Sequence, residues 1–325
     1  MPTARTPPTG VWVPSPTFFK PASASQSLQP AVDIETQIKH SVHLAKNGVR
    51  GLVLLGSTAE AIHLSRNERI SLTAGVRKGM NDAGFPDYPV MAGVLVNSVD
   101  EVLEWLEDLG KAGAQWGLVL APGYFGAAVN QENLKEWFTV VADKSPIPIL
   151  IYNYPGVTNN LMVTPDTYAH LAQHPNIVGC KLSHGNVSYH TQVSTDPSID
   201  HDKFRVYSGI GSQLGPIVLF GAAGVIDGLA AYYPRAVSRL MDLAKKRPIE
   251  PKALQEIQAQ QFVVSQAWEF IVKFGILGIR EAIYQVLGMG TVEGGRLPLK
   301  GRIPDGEWAK WEAMHSKMQA LEDAP

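Results

Sequence analysis

The segment "NIVGCKLSHGN", residues 176–186, carries a short apolar run, Ile177 to Cys180, that ends directly on Lys181. A continuous apolar run of strand length fits a strand covered on both faces, as in a parallel sheet. Working outward, runs of the same kind recur as "VWVP" (11–14), "GLVLL" (51–55), "PVMAGV" (89–94), "WGLVLA" (116–121), "IPILIY" (147–152), "FRVYS" (204–208) and "GVIDG" (224–228), which with 177–181 makes eight. Helix signals lie between them. Ile34, Ile38, Val42 and Ala45 recur at helical spacing, Ser65/Glu68 and Ser98/Glu101 have capping-box spacing, and Thr164-Pro165 reads as an N-cap followed by proline at the first helical position. Eight strand–helix units predict a (β/α)8 TIM barrel rather than a doubly wound sheet. The barrel is expected over residues 1–246. Residues 247–325, which include "FVVSQAWEFIVKFGILGIREAIYQVLG" (262–288), are expected to form a C-terminal helical extension packed on it.

Composition agrees with a folded chain. The 325 residues are 45% hydrophobic and 18% charged, enough for a substantial core. The formal net charge of -2 gives no electrostatic case for nucleic acid or an anionic membrane as partner. The single cysteine, Cys180, excludes an intrachain disulfide, and the histidines show no H-E-x-x-H spacing, so no metal is expected. The start, "MPTARTPPTG", lacks the apolar stretch of a secretory signal, and no run of about 18 apolar residues suggests a membrane span. Arg5 is the one basic residue there and gives little support for organelle targeting. A soluble, cytoplasmic protein is expected.

In a (β/α)8 barrel, chemistry sits where strands end and βα loops begin. Lys181 ends the sixth predicted strand. A lysine buried in an apolar interior has a lowered pKa and, when neutral, can attack a ketone to form a Schiff base. The residue type alone also allows a stem that packs and a head that reaches solvent. Tyr152 ends the neighbouring strand and could relay protons or simply fill the core. Gly56, Ser57 and Thr58 follow the second strand. Two hydroxyls and backbone amides there suit a carboxylate, although plain N-capping uses the same residues. His184 could touch substrate or be an ordinary loop histidine. "SGIGSQLG" (208–215) does not fit G-x-G-x-x-G and reads better as a loop that lets backbone approach a small ligand. No G-x-S-x-G elbow is present. Strand alternation turns Cys180 away from Lys181.

Several of these stretches resemble the dihydrodipicolinate synthase / N-acetylneuraminate lyase family of class I pyruvate aldolases. "GSTAEA" (56–61) resembles G-[ST]-T-G-E, "APGYF" (121–125) resembles T-P-Y-Y, and "YNYPGVT" (152–158) resembles Y-N-x-P-x-x-T. "NIVGCKLSHGN" resembles N-I-V-G-I-K-x-x-x-G-N, and "GAAGVIDG" (221–228) resembles G-x-x-G-V-I-S. The likeness runs in order from "GVWVPSPTFF" near the start to "GGRLPL" (294–299). The resemblance implies that Lys181 is the Schiff-base lysine and Tyr152 the proton-relay phenol. Ser57 and Thr58 would hold the pyruvate carboxylate. Tyr124 would complete the relay, in much of the family from a neighbouring subunit. Gly209 and Ile226 match positions that line the pocket through backbone. The family needs no cofactor and is commonly a homotetramer built as a dimer of dimers.

The departures carry information. Ala59 replaces the loop glycine, which predicts a shifted loop. Val157 stands where dihydrodipicolinate synthases carry an arginine for a second substrate carboxylate, which argues against lysine biosynthesis. His184 replaces a common threonine, which predicts a different distal substrate. "GSTAEAIHL" (56–64) and "PTFF" (16–19) are most similar to fungal-type 2-keto-3-deoxy-sugar-acid and 4-hydroxy-2-oxoglutarate aldolases. The expected reaction is cleavage or formation of a 4-hydroxy-2-oxo acid, from or to pyruvate and an aldehyde. The same imine could serve a dehydratase of a keto-deoxy sugar acid, or a synthase joining pyruvate to another aldehyde, aromatic ones included. A non-catalytic barrel is the remaining rival.

Overall fold

The structure, a computed structural model, describes residues 5–21 and 28–324. Eight parallel strands close into a barrel in sequence order. They are β1 Gly10–Pro14, β2 Gly51–Leu54, β3 Val90–Val94, β4 Trp116–Leu120, β5 Ile149–Asn153, β6 Ile177–Leu182, β7 Arg205–Ser208 and β8 Gly224–Ile226. One helix follows each strand: α1 Ile34–Lys46, α2 Arg66–Asp82, α3 Val99–Lys111, α4 Gln131–Lys144, α5 Pro165–Leu171, α6 Val187–Thr195, α7 Leu214–Leu219 and α8 Pro234–Lys245. Then come α9 Pro251–Leu287, α10 Glu307–Lys310 and α11 Glu312–Asp323.

Strand ends differ from the sequence reading for local reasons. β8 stops at Ile226; the Asp227 N–H still donates to the Trp12 carbonyl at 2.8 Å, but its carboxylate accepts the Leu229 N–H at 3.0 Å and the chain turns. β2 stops before Leu55, which sits at φ 58. Of the two predicted capping boxes, Ser65/Glu68 forms fully. Ser98 makes no side-chain cap bond; Asp100 and Glu101 instead place charge against the positive end of α3. Thr164 takes the N-cap position with Pro165 behind it, but its hydroxyl also makes no cap bond. The Gln131 carbonyl oxygen instead accepts from the Thr164 N–H (3.0 Å) and the Thr167 hydroxyl (2.8 Å).

Side chains inside the barrel stack in layers. Trp12 meets Trp116 edge to face at 5.8 Å, and Gly51 opposite must lack a side chain, because a Cβ there would lie 2.3 Å from the Trp12 ring. Residues 5–9 close the lower end: the indole of Trp116 donates to the Arg5 carbonyl (2.6 Å), that of Trp12 to Pro8 (3.0 Å), and Tyr207 to Pro8 (2.9 Å). The Ile34 stripe of α1 packs on its neighbour, where Gly75 and Gly79 make room for Ile34 and Ile38. The face of α1 that is fully buried carries Gln37, His40 and Ser41, each with a hydrogen bond.

By length and composition alone α9 could cross a membrane, a feature that the sequence reading did not single out. Its helical dihedrals break at Gly275 (φ 54, ψ -134), and Val264, Ala267 and Phe270 along it are buried.

Candidate active site

A cavity of about 660 Å³ opens at the ends of the strands. Lys181 lies in its wall, 6% exposed, near the end of β6. Tyr152 is its register partner on β5. This pairing puts the Lys181 Nζ 4.4 Å from the centroid of the Tyr152 ring. Burial lowers the lysine pKa from 10.5 to about 7, while the carboxylate of Asp227 works in the opposite direction. A sizeable fraction is therefore the neutral amine near neutral pH. Burial pushes the Tyr152 phenol up to about 12, moderated by the hydroxyls of Ser57 and Ser183, so it stays protonated. Its Oη lies 3.4 Å from the Ser57 Oγ.

The turn Ser57–Ala59 follows β2 and brings Ser57 and Thr58 to the cavity. Leu55 (φ 58) and Glu60 (φ 54) flank it in the left-handed region, where non-glycine residues are strained. Ala59, inside the turn, lies outside that region. Glu60 anchors the turn. Its Oε1 accepts from Arg280 Nη1 on α9 at 2.9 Å, and Arg280 Nη2 donates to the Leu299 carbonyl at 2.6 Å. Both charged side chains are buried. Replacing Arg280 by methionine should leave Glu60 buried without its arginine, with only His63 at 3.5 Å beside it, at a cost of about 3–5 kcal/mol in denaturant unfolding. Adding Glu60→Gln in the same chain should recover part of that loss.

Gly209, Ile226 and Val157 line the cavity. A Cβ on Gly209 would lie 2.9 Å from Lys181 Cε and 1.9 Å from Ser183 Oγ, so glycine here permits a close approach of backbone. Tyr124 lines the rim, 73% exposed, with its ring edge-to-face against Phe125 at 4.8 Å.

Two sequence expectations need correcting. His184 does not line the cavity. It is buried behind the strand end, 5.1 Å from the His190 ring, and its Nδ1 accepts the Asn186 N–H at 3.3 Å. Counting by two from Lys181 puts Ser183, not His184, on the inner face, and Ser183 does line the cavity. Gly56 is also outside the lining; its backbone passes under Gly93, where a Cβ would lie 2.9 Å from Gly56 Cα. Cys180 faces the helices, fully buried.

The sequence reading did not identify one whole wall. Trp268, Ile271, Val272, Ile276 and Ile279 of α9 face the cavity, as do Asn97, Tyr154 and Thr158. The signal for a break in α9 was Gly275, a glycine within an apolar helical pattern.

Comparison with known proteins bears on this arrangement. The sequence model of the Dihydrodipicolinate synthetase family matches residues 19–301. The chain is 35% identical over 281 residues to an Emericella nidulans protein named "Probable 4-hydroxy-2-oxoglutarate aldolase, mitochondrial", covering 86% of each chain. It is 34% identical over 298 residues to the L-threo-3-deoxy-hexylosonate aldolase of Hypocrea jecorina, covering 90% of each. A crystal structure of a dihydrodipicolinate synthase family protein from Coccidioides immitis superposes with a TM-score of 0.81 at 28% identity, covering 99% of this chain and 100% of that one. With the family model matching well over half its length, the chain belongs to the dihydrodipicolinate synthetase family.

Proposed function

We propose that this protein is a class I aldolase that interconverts a 4-hydroxy-2-oxo acid with pyruvate and an aldehyde. The observation that carries it is the pairing of a buried, partly neutral Lys181 with a protonated Tyr152 on the next strand. The two relatives above are both named as aldolases.

In this reading the Lys181 amine attacks the C2 carbonyl and water leaves, giving a protonated imine. Tyr152 accepts the C4 hydroxyl proton as it passes its own toward Ser57. The C3–C4 bond breaks, the aldehyde departs, and its electron pair is held as an enamine on the lysine nitrogen. Protonation at C3 and hydrolysis release pyruvate. The hydroxyls of Ser57 and Thr58 bind the carboxylate and offset its desolvation. Tyr124 enters the relay of a neighbouring subunit, in a homotetramer arranged as a dimer of dimers. The exposed Tyr124–Phe125 pair at the cavity rim supports that arrangement.

Borohydride reduction in the presence of pyruvate tests the reading. A reduced pyruvyl group on the peptide containing Lys181 is expected; an unmodified peptide from folded protein would overturn it. The acid limb of kcat/KM is a second check. Because burial lowers the lysine pKa to about 7, the rate should rise about tenfold per pH unit below that value and level off above it. An acid limb displaced toward 10.5 would mean that Lys181 is not desolvated in solution.

A further inference from the structure

The cavity is much larger than pyruvate needs, and its chemistry is uneven. Lys181, Tyr152, Ser57 and Thr58 occupy one corner. Among the described lining residues Lys181 is the one lysine or arginine, and its nitrogen is tied up at C2, beside the pyruvate carboxylate. Arg280, outside the lining, is committed to Glu60 and the Leu299 carbonyl. Glu60 itself lines the cavity, with His63 beside it at 3.5 Å. A second carboxylate on the substrate would thus be desolvated without a counter-ion and near an acid.

Several polar groups on the loops are already committed. The Asn159 amide donates to the Gly123 and Tyr124 carbonyls at 3.0 and 2.7 Å. The Thr158 hydroxyl donates to the Tyr154 carbonyl at 2.9 Å, and Asn97 Oδ1 accepts the Tyr124 N–H at 3.1 Å. The α9 wall offers apolar surface instead: Trp268, Ile271, Val272, Ile276 and Ile279, joined by Ile62 from the loop after β2. Ile62 and Val272 are 66% and 64% exposed and extend this apolar lining to the mouth of the cavity.

We propose that the aldehyde partner of this site is uncharged and apolar with a ring-sized body, an aryl aldehyde rather than an oxo acid or a polyhydroxylated aldehyde. This rests on the aldolase reading and names its acceptor. In the forward direction the enamine carbon C3 attacks the aldehyde carbon, one C–C bond forms, and the aldehyde oxygen takes up a proton. The ring lies against the α9 wall while the reacting carbon stays at the lysine corner.

The test uses the full chain with pyruvate and three acceptors: benzaldehyde, glyceraldehyde and glyoxylate. Benzaldehyde should be favoured in kcat/KM by roughly 10–100-fold, the discrimination that burying apolar surface in such a pocket can supply. Val272→Lys, at a position exposed enough to keep the fold, should move the ratio of glyoxylate to benzaldehyde upward by about tenfold. Borohydride trapping with pyruvate alone runs alongside. Trapping with glyoxylate or glyceraldehyde as the better acceptor overturns the aryl assignment and leaves the aldolase reading standing. Trapping with an acceptor ratio that ignores Val272→Lys shows that the α9 wall does not meet the aldehyde, and also overturns it. Absence of trapping overturns both readings.

Discussion

Lys181→Met should abolish pyruvate release, by on the order of 10³-fold or more, and at the same time make the protein more stable. The first effect follows because the imine nitrogen is gone and no other lysine lines the cavity among the described residues. The second follows from linkage. The folded-state pKa of Lys181 is lowered from 10.5 to about 7, so between those values the unfolded chain binds the proton more strongly. The penalty is full below about pH 7, shrinks as pH rises, and disappears above 10.5. Methionine fills similar volume without an amine. Its advantage, about 1–3 kcal/mol, should be largest in acid and fade toward alkaline pH. The discount from the full shift reflects Asp227, which loses a neighbouring cation; burial already pushes that carboxyl up to about 7, so it can protonate. Thermal melts of wild type and variant across that pH range check the sign, and a variant less stable than wild type at pH 6 would contradict the account.

Tyr152→Phe should lower turnover by about 10²–10⁴-fold while leaving imine formation in place. Phenylalanine keeps the ring beneath the amine and loses only the hydroxyl, which lies 3.4 Å from Ser57. Borohydride should still trap pyruvate on Lys181 in this variant, whereas aldehyde release stalls for want of a group to take the C4 proton. Loss of trapping together with turnover would instead make Tyr152 part of the pyruvate-binding step. Ser57→Ala is the milder companion, since it removes the proton's next station but not the first.

The barrel was readable because doubly buried strands write themselves as short apolar runs, and a lysine closing one of them stands out. The register that sets Lys181 opposite Tyr152 was less visible, although both were singled out as strand-end residues. His184 is close to Lys181 in sequence but on the other face of the strand; the period of two selects Ser183. Glu60 escaped notice because its partner, Arg280, lies 220 residues away and no local pattern announces the pair. The α9 wall escaped for a different reason. Along one helix, Ala267 and Phe270 pack the core while Trp268 and Val272 face the cavity, and apolar periodicity cannot separate a side chain that meets protein from one that meets substrate.

The helix that forms this wall gives the chain a division of labour along its length. Residues 57–228 contribute Lys181, Tyr152, Ser57 and Thr58 to the cavity, whereas residues 268–279 contribute apolar surface and no lysine. The dihedral break at Gly275 lets the segments on either side of it be aimed separately. On the aldolase reading, inheritance can therefore revise the acceptor in a dozen contiguous codons while the bond-making apparatus is copied unchanged. A library confined to that stretch should return enzymes that differ in appetite but share one mechanism.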